Sequence, residues 1–138
     1  MNDFNLKFGI IGIDHRHVYT QAQFLIELGA ELVGWYTEGS PTTLGGFTKR
    51  FPKAKRFTDP RSLLEDPDIK VILTSAVPND RAKISISAMK HGKDVMSDKP
   101  GCLSFGDLEE LRQTVQQTGR IWSVDFSERF EVPAVTLA

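Results

Sequence analysis

The fold class is decided by the stretch KFGIIGIDHRH, residues 7–17. Its first five residues are almost all apolar, as expected for a strand covered on both faces within a parallel sheet. Gly12 follows directly, where a tight turn would lead into a helix. The helix-period stripe that comes next is Val18, Ala22, Leu25 and Ile26, ended by Gly29. A buried strand, a glycine turn and an amphipathic helix with a terminal glycine predict the start of a βαβ unit.

Short apolar runs alternate with helix-period segments along the rest of the chain. Further strands are predicted at 31–36, 55–57, 71–75, 94–97 and 121–124. Three helices are predicted between these strands. The first follows Asp59 as the N-cap, with Pro60 at its first position and Pro67 beyond its end, and the second spans 81–90. The third runs from Ser104 as the N-cap to Gly119. Residues 37–55 favour a loop and a poor helix around 47–51. Six strands with intervening helices predict an α/β fold, a doubly wound parallel sheet of the Rossmann type with helices on both faces and right-handed crossovers.

Composition narrows the class of protein. The chain has 138 residues, 40% apolar and 25% charged, with a net charge of −1, which fits one soluble domain. It has no basic run that would favour nucleic acid, and no apolar run near the ~20 residues of a membrane helix. Cys102 is the single cysteine, which excludes an internal disulfide framework. We therefore expect a cytoplasmic protein without nucleic-acid or membrane partners.

The turn after the first strand departs from the phosphate-binding pattern G-x-G-x-x-G. Only the first glycine, Gly12, is present, while Asp14 and His17 occupy the other two positions. The pattern lets backbone amides approach a pyrophosphate, and a carboxylate about 4 Å away would cost roughly 1–4 kcal/mol. We expect the turn to contact a dinucleotide nevertheless, through Gly12, Ile13, Asp14, His15 and His17.

The turn has two other interpretations. Asp14 is favoured as the cap of a helix beginning near His15 over any direct catalytic role. A metal site built from Asp14, His15 and His17 is disfavoured, because no further spaced ligands accompany them. No metal is therefore expected.

Thr37 and Glu38 follow the second predicted strand, 25 and 26 residues after Gly12. An acid here normally holds the adenosine ribose, so Glu38 favours NAD. Thr37 at the strand tip would tolerate NADP, with Lys49 or Arg50 within reach. Glu38 could equally be a solvated loop residue, so the cofactor is expected to be NAD or NADP.

Three motifs in order carry a family resemblance. They are LLEDPDI at 63–69, VPN at 77–79 and AMKHGKDVMSDKP at 88–100. They resemble the L-x-D-P-D-I-D, T-P-N, A-G-K-H-V and E-K-P motifs in the N-terminal domain of the Gfo/Idh/MocA oxidoreductases, the family of glucose–fructose oxidoreductase and inositol dehydrogenase. The resemblance covers essentially the whole chain.

This resemblance implies roles for residues that follow the fourth and fifth strands. Lys99 matches the family lysine beside the nicotinamide, and Asp98 replaces the preceding glutamate, so both are expected in the catalytic centre. The residues expected near the cofactor after these strands are Ala76, Pro78, Asn79, Lys99 and Pro100. Independently, the carboxyl end of a strand is where doubly wound sheets bind ligands. The alternative is a surface lysine paired with Asp98.

The C-terminal segment resembles the family's crossing into a second domain. Phe126–Phe130 is similar to the N-x-R-F segment, so we expect a dinucleotide-binding domain at 1–126. Residues 127–138 would then begin the crossover to a C-terminal substrate domain absent from this chain. The family uses NAD(P) to oxidise sugars, polyols or related substrates. Because hydride transfer needs an enclosed cleft, we expect the isolated chain to be inactive. Uncovered Trp122, Phe126 and Phe130 would favour homo-oligomers.

Two further hypotheses compete with the enzymatic one. The first is a non-catalytic nucleotide- or ligand-sensing module whose degenerate glycine turn no longer supports redox chemistry. The second is a receiver domain, in which Asp14, Thr74 or Ser75, and Lys99–Pro100 would form the phosphorylation site. A single acid after the first strand disfavours the receiver.

Overall fold

The computed structural model describes residues 5–130, which form a six-stranded sheet with order β3-β2-β1-β4-β5-β6. All neighbouring strands are parallel. The strands are β1 Lys7–Ile11, β2 Glu31–Tyr36, β3 Lys55–Arg56, β4 Ile69–Thr74, β5 Asp94–Asp98 and β6 Trp122–Asp125. The doubly wound fold is confirmed. The receiver hypothesis is wrong, because that fold has the order 2-1-3-4-5.

Within residues 5–130, five helices cover the two faces of the sheet. They are α1 His17–Glu27, α2 Leu44–Arg50, α3 Arg61–Leu64, α4 Pro78–Lys90 and α5 Phe105–Thr118, followed by a 3-10 turn at Ser127–Phe130. Within the part of the chain that the structure describes, none of the helices combines the length and apolar character needed to cross a membrane.

Two apolar clusters pack on opposite sides of the sheet because successive strand residues point to opposite faces. On β1, Ile10 joins the cluster of α1 and α2, whereas Ile11 joins that of α3, α4 and α5. On β4, Leu73 joins the cluster of α1 and α2, and Ile72 joins the cluster of α3, α4 and α5. The strands are thus buried on both sides, as their near-continuous apolar sequences predict.

Helix α1 begins two residues later than expected, and the prediction that Asp14 caps it is wrong. The N-cap residue is Arg16, and the cap has no side-chain hydrogen bond. The His15 backbone N–H donates to the Ser75 carbonyl of the β4 end at 2.9 Å. This tie anchors the turn to the sheet before the helix starts.

Other helix ends follow the sequence signals closely. Ser104 accepts a hydrogen bond from the Asp107 N–H at 3.0 Å, and Gly119 adopts the left-handed conformation with φ 65°. Asp59 accepts from the Arg61 N–H at 2.8 Å, although the helix itself begins at Arg61. Helix α4 begins at Pro78 rather than at 81, because proline is suited to the first turn.

The expected apolar surface near β6 is only partly present. Trp122 is partly buried and packs against the cluster of α3, α4 and α5, so it is only partly exposed. Phe126 is 49% exposed, as expected. The Phe130 side chain lies outside the described residues. Self-association stays a prediction.

Candidate functional site

The turn after β1 is joined by hydrogen bonds to the carboxyl ends of two neighbouring strands. Its Gly12 N–H donates to the Tyr36 carbonyl at 2.8 Å. The Ser75 N–H donates to the Gly12 carbonyl at 3.0 Å. The turn therefore lies in a fixed position at the edge where β1, β2 and β4 end, which is the ligand-binding edge of such sheets.

Glycine is required at Gly12 for two separate reasons. Its φ of 84° lies in the left-handed region, and a Cβ built on it would lie 2.4 Å from the Ala76 Cβ. The neighbouring positions have no such requirement, because no non-glycine residue of the described chain has a positive φ. Asp14 and His17 therefore fit the backbone without strain.

Thr37 supports the turn from β2. Its buried hydroxyl accepts a hydrogen bond from the Ile13 N–H at 3.5 Å, while the Thr43 hydroxyl donates to the Ile13 carbonyl. Glu38 is exposed beside it. Thr37 is thus occupied by the turn itself, and Glu38 is the accessible group of this pair.

Asp14 is half-buried, and burial raises the pKa of its carboxyl. Backbone N–H groups of Asp14 and Val77 act in the opposite direction. Burial is thus the main influence on this carboxyl, and two backbone N–H groups partly offset it.

Asp98 links the end of β5 to the glycine turn. Its fully buried Oδ1 accepts from the Lys99 N–H at 2.9 Å and lies 3.0 Å from His17 Nδ1. Its Oδ2 lies 3.1 Å from His15 Nδ1 and 3.3 Å from Arg81 Nη2. A carboxylate with these contacts holds other groups in position and is shielded from a reacting substrate.

Lys99 does not pair its ammonium with Asp98, so the alternative of a Lys99–Asp98 surface pair is wrong. Its Nζ lies 3.7 Å from Glu128 Oε1, with both side chains partly exposed. Lys99 and His17 line a groove of about 220 Å³ between α1 and the end of β6. The ammonium is therefore accessible at the same edge as the turn.

Arg81 was missed by the sequence analysis. It is 2% exposed, its Nε donates to the Ala76 carbonyl at 2.7 Å, and its Nη1 donates to the Lys99 carbonyl at 2.6 Å. Burial lowers the pKa of Arg81, and the Asp98 carboxylate opposes that change. The signal available was an arginine on the buried stripe that continues through Ser85 and Met89 at helical spacing.

Gln21 was missed as well. Its Oε1 accepts from the Ser75 hydroxyl at 2.7 Å, and its Nε2 donates to Asp125 Oδ2 at 2.9 Å. These bonds join α1 to the ends of β4 and β6. No motif marks such a residue, since it lies beside the apolar stripe of α1.

Of the remaining predicted residues, Pro78 and Asn79 are exposed in the first turn of α4, and Pro100 is exposed after Lys99. The Lys99–Pro100 peptide bond is cis. The structure thus brings the turn, Ala76 and Lys99 to one edge. Among the residues it describes, Asp14 belongs to no cluster of potential metal ligands.

The residues present fit a dinucleotide. The first turn of α1 carries no acidic residue, and its N-cap provides no side-chain hydrogen bond, so its positive end is available to a phosphate. Because Gly12 has no side chain, a phosphate can approach the backbone closely at the end of β1. Fold and site together define a nucleotide-binding α/β domain of the doubly wound class.

The family follows from comparison with known proteins. The model of the Gfo/Idh/MocA oxidoreductase family, NAD-binding Rossmann fold, matches residues 6–126. This chain belongs to that family.

Individual relatives agree with the assignment. A dehydrogenase of 1-carboxy-3-chloro-3,4-dihydroxycyclohexa-1,5-diene from Comamonas testosteroni is 25% identical over 93% of this chain and 32% of its own length. Levoglucosan dehydrogenase of Pseudarthrobacter phenanthrenivorans is 31% identical over 73% of this chain and 26% of its own. A crystal structure of an oxidoreductase from Erwinia carotovora atroseptica has a TM-score of 0.88 at 32% identity, over 96% of this chain and 40% of that one. The chain thus spans less than half of these relatives.

Proposed function

We propose that this chain is the dinucleotide-holding domain of an NAD(P)-dependent oxidoreductase that acts on a sugar, a polyol or a related hydroxyl or carbonyl compound. The observation that carries the proposal is the meeting of the Gly12 turn and Lys99 at one sheet edge, joined by Asp98 and Arg81. The substrate class rests on relatives named for inositol and levoglucosan.

The proposed cofactor contacts lie at the carboxyl ends of β1, β2, β4 and β5. They are Gly12, Ile13, Asp14, His15, His17, Thr37, Glu38, Ala76, Pro78, Asn79, Lys99 and Pro100. The turn and the start of α1 would hold the pyrophosphate, and exposed Glu38 the adenosine ribose. A bound nicotinamide supplies hydride chemistry. The choice between NAD and NADP depends on whether Glu38 contacts the ribose or points into solvent.

Lys99 is proposed as the catalytic residue, because its accessible ammonium can donate a hydrogen bond or a proton to the substrate oxygen. Asp98 is expected from the resemblance to be in the catalytic centre with Lys99, but its side chain is fully buried, so we propose that Asp98 and Arg81 act as positioning residues through the Lys99 backbone. The Asp98 carboxylate accepts a hydrogen bond from the Lys99 N–H, and the Arg81 guanidinium donates one to the Lys99 carbonyl. Both backbone groups of the lysine are thus fixed.

The isolated chain is proposed to turn over little substrate. The dinucleotide-binding domain would end at 126, and residues from 127 onward would lead toward a second domain that closes the cleft. The side chains of Lys99 and Glu128 at the groove are 39% and 42% exposed. A site open to this degree neither orients a substrate nor excludes water.

Isothermal titration calorimetry with NAD⁺ and NADP⁺ tests the proposal. We expect at least one of them to bind with a Kd below about 1 mM, equivalent to roughly −4 kcal/mol. Binding of neither would contradict the proposal. That result would favour the alternative of a non-catalytic sensing module. The observation that supports this alternative is the presence of Asp14 and His17 in place of two glycines of the turn.

A dehydrogenase assay tests the second part. With myo-inositol or levoglucosan and either dinucleotide, the 138-residue chain should produce no measurable reduced cofactor. Steady turnover would contradict the proposed need for a second domain while supporting the cofactor assignment.

A further inference from the structure

Two histidines and an aspartate converge beside the glycine turn. His15 Nδ1 lies 3.1 Å from Asp98 Oδ2, and His17 Nδ1 lies 3.0 Å from Asp98 Oδ1. The ligand atoms of all three residues lie within 4.8 Å of one another. Atoms bound to a tetrahedral Zn²⁺ at 2.0–2.1 Å are about 3.3 Å apart. We propose that His15, His17 and Asp98 bind a divalent transition-metal ion, with Zn²⁺ as the best match.

A second observation at Asp98 points to a ligand. The side chain is 0% exposed. His15 Nδ1 and Arg81 Nη2 lie 3.1 and 3.3 Å from its Oδ2, but among residues 5–130 no group donates to this oxygen with hydrogen-bond geometry. Buried polar atoms nearly always have a partner. This carboxylate oxygen is directed toward the His15 ring, and a bound cation would satisfy it.

The arrangement of the rings also favours an ion. The His15 and His17 rings are perpendicular, at 85°, with centroids 4.2 Å apart, and both present Nδ1 to the same carboxylate. A simple hydrogen-bonded pair with Asp98 would require only one of these two histidines. Two imidazoles and a carboxylate are a ligand set taken by Zn²⁺ and by other divalent first-row metals.

Arg81 is the charge that opposes such an ion. Its Nη2 lies 3.3 Å from Asp98 Oδ2, so it already neutralises part of the carboxylate charge. The Lys99 ammonium is paired with Glu128. We therefore expect reversible occupancy that a chelator removes.

Three protein ligands leave a coordination position open, as in catalytic zinc sites. His17 lines the same groove as Lys99. A metal at this place would be suited to bind and polarise an oxygen of a small ligand beside that lysine.

Metal titration of the 138-residue chain without dinucleotide tests the proposal. Zn²⁺ binding is measured by calorimetry and Co²⁺ binding by its visible absorption, for the wild type, His15→Gln and His17→Gln. Both rings are partly exposed, 48% and 40%, so both variants should fold, which circular dichroism verifies. The control is His91→Gln, because His91 is the third and last histidine and lies beyond α4.

We expect one Zn²⁺ per chain in the wild type and in His91→Gln. Each of the two other variants should bind at least about tenfold more weakly and lose the Co²⁺ absorption. Absence of stoichiometric binding in the wild type, equal binding in all variants, or equal loss in His91→Gln would overturn the proposal. Because no dinucleotide is present, these outcomes are independent of the NAD⁺ and NADP⁺ titrations.

Discussion

At the scale of single residues, Gly12 combines a conformational and a steric requirement that can be separated by substitution. Gly12→Ala should lower the free energy of unfolding by about 2–5 kcal/mol, because it adds left-handed strain and an overlap with Ala76. Gly39 has φ 62° and open space around it, so Gly39→Ala should cost only about 1–2 kcal/mol. Urea unfolding measures both. Equal losses would contradict the close approach to Ala76.

Arg81 provides a second test at this scale. Arg81→Met would leave the buried Asp98 without its guanidinium partner and the Ala76 and Lys99 carbonyls without their donor. We expect a loss of about 3–5 kcal/mol in unfolding free energy. Lys83→Met, on the exposed side of α4, should change it by less than about 0.5 kcal/mol. Similar effects of the two substitutions would contradict the buried network.

Asp14 is expected to make stability and binding depend on pH. Its pKa is raised by burial in the folded state, so folding favours the protonated form. Stability should therefore fall as pH rises from the unfolded pKa through the folded pKa, and Asp14→Asn should remove this component. At pH 7 the variant should also bind the dinucleotide about fivefold more tightly, from roughly 1 kcal/mol of relieved repulsion.

Chemical unfolding at pH 3 to 7 and calorimetry at pH 7 check these effects of Asp14. Glu65→Gln, at an exposed position beyond α3, is the control. A variant with unchanged affinity and an unchanged pH profile would show that the Asp14 carboxyl is remote from the phosphates.

At the scale of elements, the cap of α5 is a local feature read directly from sequence. Ser104→Ala removes the acceptor of the Asp107 N–H and should cost about 1 kcal/mol of unfolding free energy. Ser104→Asp should retain most of it, because aspartate is an equally good cap. Thermal and urea unfolding measure the pair. Equal losses in the two variants would argue against a capping role.

The elements were predictable because their signals are local. Apolar runs and helix-period stripes located all six strands and the helices between them, with ends displaced by up to three residues. The start of α1 was not predictable, since it depends on the His15 N–H bond to Ser75, 60 residues further along the chain. The packing of Trp122 against the cluster of α3, α4 and α5 is likewise a long-range contact that its own strand does not indicate.

At the scale of the whole molecule, the sheet order brings the carboxyl ends of β1, β4 and β5 together. The sequence predicted this edge and the position of the glycine turn along it, since both follow from parallel strand order. It could not predict the link from His17 to Asp98, which spans 81 residues, or the burial of Arg81. The potential metal ligands that the sequence offers, and disfavours as a site, are Asp14, His15 and His17. In the structure the third potential ligand beside the two histidines is Asp98 of β5 instead of Asp14.

The central claim is that a nucleotide lies along this edge, between Gly12 and Lys99. The direct measurement is a titration of the ¹⁵N-labelled chain with NAD⁺ and NADP⁺, followed by amide NMR. We expect shifts clustered at the amides of residues 12–17, 37–38, 76–77, 79 and 98–99. Shifts concentrated at the opposite edge of the sheet, around 29–32 and 51–54, or no saturable shifts with either dinucleotide, would contradict it.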